Sequence, residues 1–181
     1  MQLLTALALM VGPPFVPPQP GIANDARLPC QFIDAGGERI VIERCGMPDS
    51  PTPRLPEAIR RRLQFDRHGL AAVLVGEQWV YYSRAGAAAP VMTMDNGADY
   101  FVEGRARSNL GGKIGYIDRS LRLVIARRYD GALPFRGGVA EVCFGCTIRS
   151  DGEHQSYAGG RWQRIDRFGR ERPEPVDPRK R

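Results

Sequence analysis

Histidine is nearly missing from this chain: it has two, His68 and His154. With four cysteines besides, no pair of Cys-x-x-Cys motifs and no Cys₂His₂ spacing is present, so a ready-made structural zinc site is missing. There is no Gly-x-Ser-x-Gly elbow and no His-Glu-x-x-His. The stretch GGKIG lacks the Lys-Ser/Thr ending of a phosphate loop. Long apolar runs are also lacking. The apolar start, MQLLTALALMVG, falls short of the about 20 residues that a membrane-spanning helix needs. No stripe of basic residues is interleaved with aromatics. The formal charge of +6 is concentrated at one end, where residues 161–181 hold eight basic and four acidic side chains. The rest is close to balanced, so the excess reads as a solvated basic tail and argues against a nucleic-acid partner.

What is present points to one β-rich domain with many turns. Hydrophobic residues make up 43%, enough for a core, and the 21 glycines and 15 prolines favour turns over long helices. The apolar start fits the h-region of a secretory signal peptide, with Gly21 and Ala23 offering a cleavage site before Asn24. No Lys or Arg precedes it. Residues 1–23 are therefore read as a signal peptide, leaving a mature chain without a transmembrane segment that is periplasmic or secreted.

In an exported chain, four cysteines favour disulfides. The stretch CQFIDAGGERIVIERC, residues 30–45, reads as strand, tight turn, strand. A two-residue loop at Gly37-Glu38 sets Gly36 against Arg39 and brings Cys30 opposite Cys45. Cys143 and Cys146 remain. A Pro-rich joint follows the hairpin, and PEAIRRRL from Pro56 reads as a short helix with Ile59 and Leu63 facing the core. Its three arginines, 60–62, read as a solvated face.

From there the sequence repeats. WVYYSRAG from Trp79, IGYIDRSL from Ile114 and WQRIDRFG from Trp162 align, and Phe101 and Phe135 head equivalent turns. The middle unit divides into three strands, ARSNL, KIGYID and RLVIA, with turns at Gly111-Gly112 and Arg119-Ser120-Leu121. Such period-2 patterning with regular turns indicates an antiparallel all-β protein, and units this small must stack or arrange around a centre. The third unit carries an insertion that begins at Cys146.

The stretch KIGYIDRSLRLVIARRYDGALPFRGGVAEV resembles the WG (KWG) repeat. Gly115-Tyr116-Ile117-Asp118, Val124-Ile125, Tyr129-Asp130 and Phe135 to Val142 carry the match. A third copy keeps Trp162, Ile165, Asp166 and Gly169. A first, degenerate copy keeps Trp79, Gly86, Val91 and Tyr100-Phe101. No copy holds an intact Trp-Gly pair, and Leu121 stands where a turn glycine is usual. The resemblance covers about residues 65–170 and implies a binding or scaffolding module, with no catalytic residues and no cofactor.

The resulting expectation is an all-β fold of antiparallel three-stranded units, as a β-meander, propeller-like or stacked array. A signal peptide (1–23), a disulfide hairpin with a Pro-rich joint (24–54), the repeat domain (55–170) and a disordered basic tail (171–181) follow in order. The expected partner is a protein or an envelope polymer. Asp118 and Asp166 read as turn aspartates. Trp79, Tyr116 and Trp162 are candidate binding aromatics if they share an exposed surface. Cys143 and Cys146 read as a disulfide stapling the insertion. A metal site using them with His154 and Asp151 or Glu153, and an envelope hydrolase using Asp118, His154 or Glu153, stand as alternatives.

Overall fold

The computed structural model describes residues 27–48, 51–150 and 155–173. The signal peptide read at 1–23 and the tail beyond Pro173 lie outside them. Apart from one helical turn, α1 (Glu57–Arg60), the regular elements are short antiparallel strands.

The N-terminal hairpin pairs β1 (Leu28–Ile33) with β2 (Arg39–Gly46), and Cys30 is bonded to Cys45 with a Cα separation of 5.6 Å. Closing a loop of this length stabilises by about 3 kcal/mol in a chain-entropy account. The register differs from the expected one. Ile33 faces Arg39 and Cys30 faces Ile42, and the pairing shifts before Leu28 meets Gly46. Two local causes explain this. Asp34 accepts the N–H groups of Gly36 and Glu38 on one carboxylate oxygen, which makes the loop five residues long instead of two. Pro29 has no N–H for the ladder. Three residues of β2, Glu43 to Cys45, are taken up opposite it, and this bulge carries Cys45 to the sulfur of Cys30.

The first unit consists of β3 (Leu70–Val75), β4 (Gln78–Ser83) and β5 (Ala88–Val91). It does not stand apart from the hairpin. β1 pairs with β3, so one five-stranded sheet runs β2-β1-β3-β4-β5 across the boundary expected at residue 54. The helical stretch is shorter than its pattern suggests. Leu63 leaves the helix and bridges Asp34, yet Leu63 and Ile59 both pack on the first core, with Phe32, Val73, Val80 and the Cys30–Cys45 pair.

A small hairpin, β6 (Thr93–Met94) and β7 (Gly97–Ala98), leads to the second unit. That unit is β8 (Ala106–Leu110), β9 (Lys113–Ile117) and β10 (Leu123–Tyr129), in the order β10-β9-β8. After β11 (Gly131–Ala132), the third unit begins with β12 (Val139–Phe144). The insertion follows as a separate hairpin, β13 (Thr147–Ser150) and β14 (Gln155–Ala158). β15 (Arg161–Asp166) then resumes the unit against β12, and β16 (Glu171–Arg172) closes it. The sheet thus extends past residue 170, because Ile165 and Arg164 pair with Glu171 and Arg172.

Successive units share their apolar faces. Leu70, Ala89, Val91, Ala106, Ile117 and Leu121 form one cluster between the first and second units. Tyr116, Ile125, Tyr129, Phe135, Val142 and Ile165 form another between the second and third. Neither unit could bury this surface alone, which is why the repeats stack. A polar tie runs alongside. Glu103, in the turn after Phe101, accepts the N–H groups of Gly137 and Gly138 at 2.6 and 2.9 Å in the equivalent turn of the next unit.

Candidate functional site

The recurring aspartates are the first functional candidates, and their geometry is shared. Asp118 accepts the N–H groups of Ser120 and Arg122 on Oδ1, and the Leu121 N–H donates to its carbonyl. Asp166 does the same with Phe168, Arg170 and Gly169. So do Asp34 with Gly36, Glu38 and Gly37, and Asp66 with His68, Leu70 and Gly69. Ser83 closes the Ala87 turn with its hydroxyl. In every case the fourth residue has positive φ, between 61° and 91°; it is glycine except at Leu121. The left-handed conformation costs a leucine about 1–2 kcal/mol. Burying its side chain between two units, where truncation typically costs about 2–5 kcal/mol, outweighs that; Leu121 is 7% exposed. These carboxylates are engaged by the backbone, so Asp118 is a turn group and not a free acid or base.

Arginine completes two of the turns. Arg122 binds the second oxygen of Asp118 at 2.9 Å and Arg170 that of Asp166 at 2.8 Å. Burial pushes both carboxyls up. The backbone and guanidinium hydrogen bonds from Arg122, and those from Arg170 and Phe168, outweigh it and hold each below the ordinary value of 3.8. Asp130 is lowered too, by Lys113 at 2.5 Å and the Gly145 N–H. In the unfolded chain these groups bind protons first as pH falls. Their contribution is therefore fully present above about pH 4 and is lost as pH drops through the lowered folded values. The melting temperature is expected to fall as pH drops below about 4. The Asp118→Asn/Asp166→Asn variant should flatten that slope, while lowering stability at pH 7. Melting curves across pH check both.

The candidate aromatics separate. Tyr116 is fully enclosed, packs edge-on to Phe135 at 4.9 Å, and donates its hydroxyl to the Leu133 carbonyl. It is a core residue, which removes it from any surface set. Trp79 is half-buried against the cluster between the first two units. Trp162 alone of the three lies at the surface, 39% exposed, with its indole N–H on the Gly159 carbonyl and Tyr157 edge-on at 5.9 Å. Tyr81 is held as a donor to the Asp99 carbonyl, burial pushing its hydroxyl up to about 12.

At the insertion, Cys143 and Cys146 are bonded, with Cα atoms 6.0 Å apart. Cys143 belongs to β12, and the pair packs on Gly131 and Gly160, where an added methyl group would meet sulfur. Two sulfurs joined in this way cannot act as thiolate ligands, so the metal reading built on them is not what the structure holds. Asp151, Glu153 and His154 lie outside the described residues. Among the described residues no three His, Cys, Asp or Glu side chains gather as a metal site, and no helix is long and apolar enough to cross a membrane.

Among the described residues, two surface clefts of about 420 Å³ stand out. One lies under α1, where Arg60 and Arg61 both pair with Glu57 and Arg84 stacks on Phe65 at 4.5 Å. The other sits at the end of the array, between Gly137-Gly138 and the arginines of β15 and β16. Sequence reading assigned those arginines to a solvated tail. What places Arg164 and Arg172 is strand pairing: Arg164 lies in β15 between Glu141 of β12 and Arg172 of β16.

Residues 114–145, from β9 through β12 and the turn after it, match the family described as the WG containing repeat. No curated protein and no solved structure matches the chain.

Proposed function

We propose that the chain, in which residues 114–145 match the WG containing repeat, is a non-enzymatic binding or scaffolding module of the cell envelope or the space outside it. Its partner is a protein or an envelope polymer. One observation carries this reading: among the described residues, the candidate acids and thiols of the sequence are used by the fold. Asp118 and Asp166 bind turn backbone, and all four cysteines are in disulfides. Two disulfides favour an extracytoplasmic setting, and export would require residues 1–23 to act as the leader. The test uses the protein expressed with its own N-terminus. Its mature form is expected in the envelope or medium, beginning at Asn24, with no free thiol by mass. Photo-crosslinking there should give a discrete adduct. Unprocessed protein in the cytosol with reactive thiols, or the absence of any adduct, would overturn the reading.

A further inference from the structure

We propose that the C-terminal end of the array is a docking surface for an extended acidic peptide segment of a partner protein, centred on Arg164 and Arg172. This rests on the binding-module reading and names its partner chemistry. Arg164 and Arg172 face each other across β15 and β16. Like charges directly opposite in a sheet are destabilising, and neither arginine has an ion pair among the described residues. Their neighbours differ: Arg170 is paired with Asp166, and Arg167 lies 3.9 Å from the Glu103 carboxylate while donating to the Glu103 carbonyl at 3.1 Å. On its other side Arg164 faces Glu141 of β12 without forming an ion pair with it, so this row of the sheet carries two arginines to one carboxylate and the excess positive charge lies at Arg172 on the outer strand.

Three features select a carboxylate-bearing peptide. First, this end of the molecule already holds one carboxylate in the same chemistry: Glu103, on the N–H groups of Gly137 and Gly138 with Arg167 beside it. Arginine recognises a second carboxylate through paired N–H donors. Second, β16 is the outer strand of its sheet, with β15 its one strand neighbour among the described residues. An added strand would use its outward-facing backbone groups, as in β-augmentation, and would bring alternate side chains beside Arg172. Third, Phe168, 75% exposed at the tip of the β15–β16 turn, supplies an apolar contact next to the charges. A phosphate polymer would use the arginines but neither the strand edge nor the phenyl ring.

The experiment measures fluorescence anisotropy of a labelled peptide of alternating glutamate and valine against the full, disulfide-bonded mature chain. Saturable binding is expected. It should weaken about tenfold or more in Arg164→Glu/Arg172→Glu, and by a smaller factor in Phe168→Ser. It should disappear when glutamine replaces glutamate in the peptide. Unchanged melting temperatures show that the variants fold. Equal binding by wild type and the double variant, or by the glutamine peptide, overturns the proposal. So does arginine-dependent binding of polyphosphate or phosphatidylglycerol vesicles without peptide binding. If the peptide binds only after residues 174–181 are removed, the chain's own tail is the occupant and the proposal fails. An envelope crosslink that forms equally with wild type and the double variant removes this surface while leaving the module reading intact.

Discussion

Replacing Gly115 with alanine is expected to destabilise the protein by about 3 kcal/mol, a melting shift of about 6–12 °C for a chain of this size. The reason is space, not backbone freedom, since Gly115 does not have positive φ. It lies in the middle strand of the second unit. Between the Ile125–Tyr116 and Tyr129–Ile114 pairs, β10 has two more residues than the stretch of β9 it faces, and its backbone folds over Gly115. A methyl group there would press on the Ile125 carbonyl and come within 2.8 Å of the Ala126 carbonyl carbon and the Arg127 nitrogen. Backbone cannot rotate away as a side chain can, so β9 and β10 must separate. Gly112→Ala is the control. Gly112 has φ of 72° but nothing near it, so its variant should cost only about 1 kcal/mol. Denaturant melts of the two variants separate crowding from strain, and equal losses would refute the account. The first unit shows the converse: Val80 occupies the matching position, and β4 pairs with β5 in unbroken register.

Asp99→Ala should be comparably severe, about 3–5 kcal/mol, because it strands a buried charge. Arg107 and Asp99 are 5% and 3% exposed. Nε and Nη2 of Arg107 bind the two carboxylate oxygens at 3.1 and 2.5 Å, and its backbone N–H binds one of them at 2.7 Å. Nη1 reaches on to the Ala132 carbonyl at 3.2 Å. One guanidinium thus ties the segment after β7 to β8 and to β11, joining units that share no strand ladder there. Burial pushes the guanidinium down, but the Asp99 bonds outweigh it and hold it above its ordinary value. Without Asp99 that support is gone, yet a guanidinium keeps its proton at neutral pH, so the charge stays buried and unpaired. The apolar pair Asp99→Leu/Arg107→Met should therefore recover much of what Asp99→Ala loses, because it removes both desolvation costs together. Urea unfolding of the two variants tests this, and a double variant no more stable than the single one would contradict it.

Much of this architecture is written locally. The strands of the middle unit alternate as β residues should, and KIGYID and its neighbours fold where the pattern places them. The Asp-x-x-Gly turns close on their own side-chain hydrogen bonds. The insertion after Cys146 is bounded by the repeat it interrupts. The chain determined these features by itself because each depends on residues a few positions apart. The choice of Cys30 with Cys45 belongs here too, although the register that joins them does not. That register depends on Pro29 failing to donate and on the bulge opposite it, a matter of two strands together. Tertiary structure alone decided the rest. Tyr116, an unremarkable strand aromatic in sequence, is sealed between two sheets, whereas Trp162 is left at the surface. Asp99 and Arg107 become partners only when two units pack. Arg164 and Arg172 face each other only once β16 folds back on β15. Such placements depend on which faces meet across long sequence separations, and on burial that changes what a charge costs; neither is encoded in the pattern of any single strand.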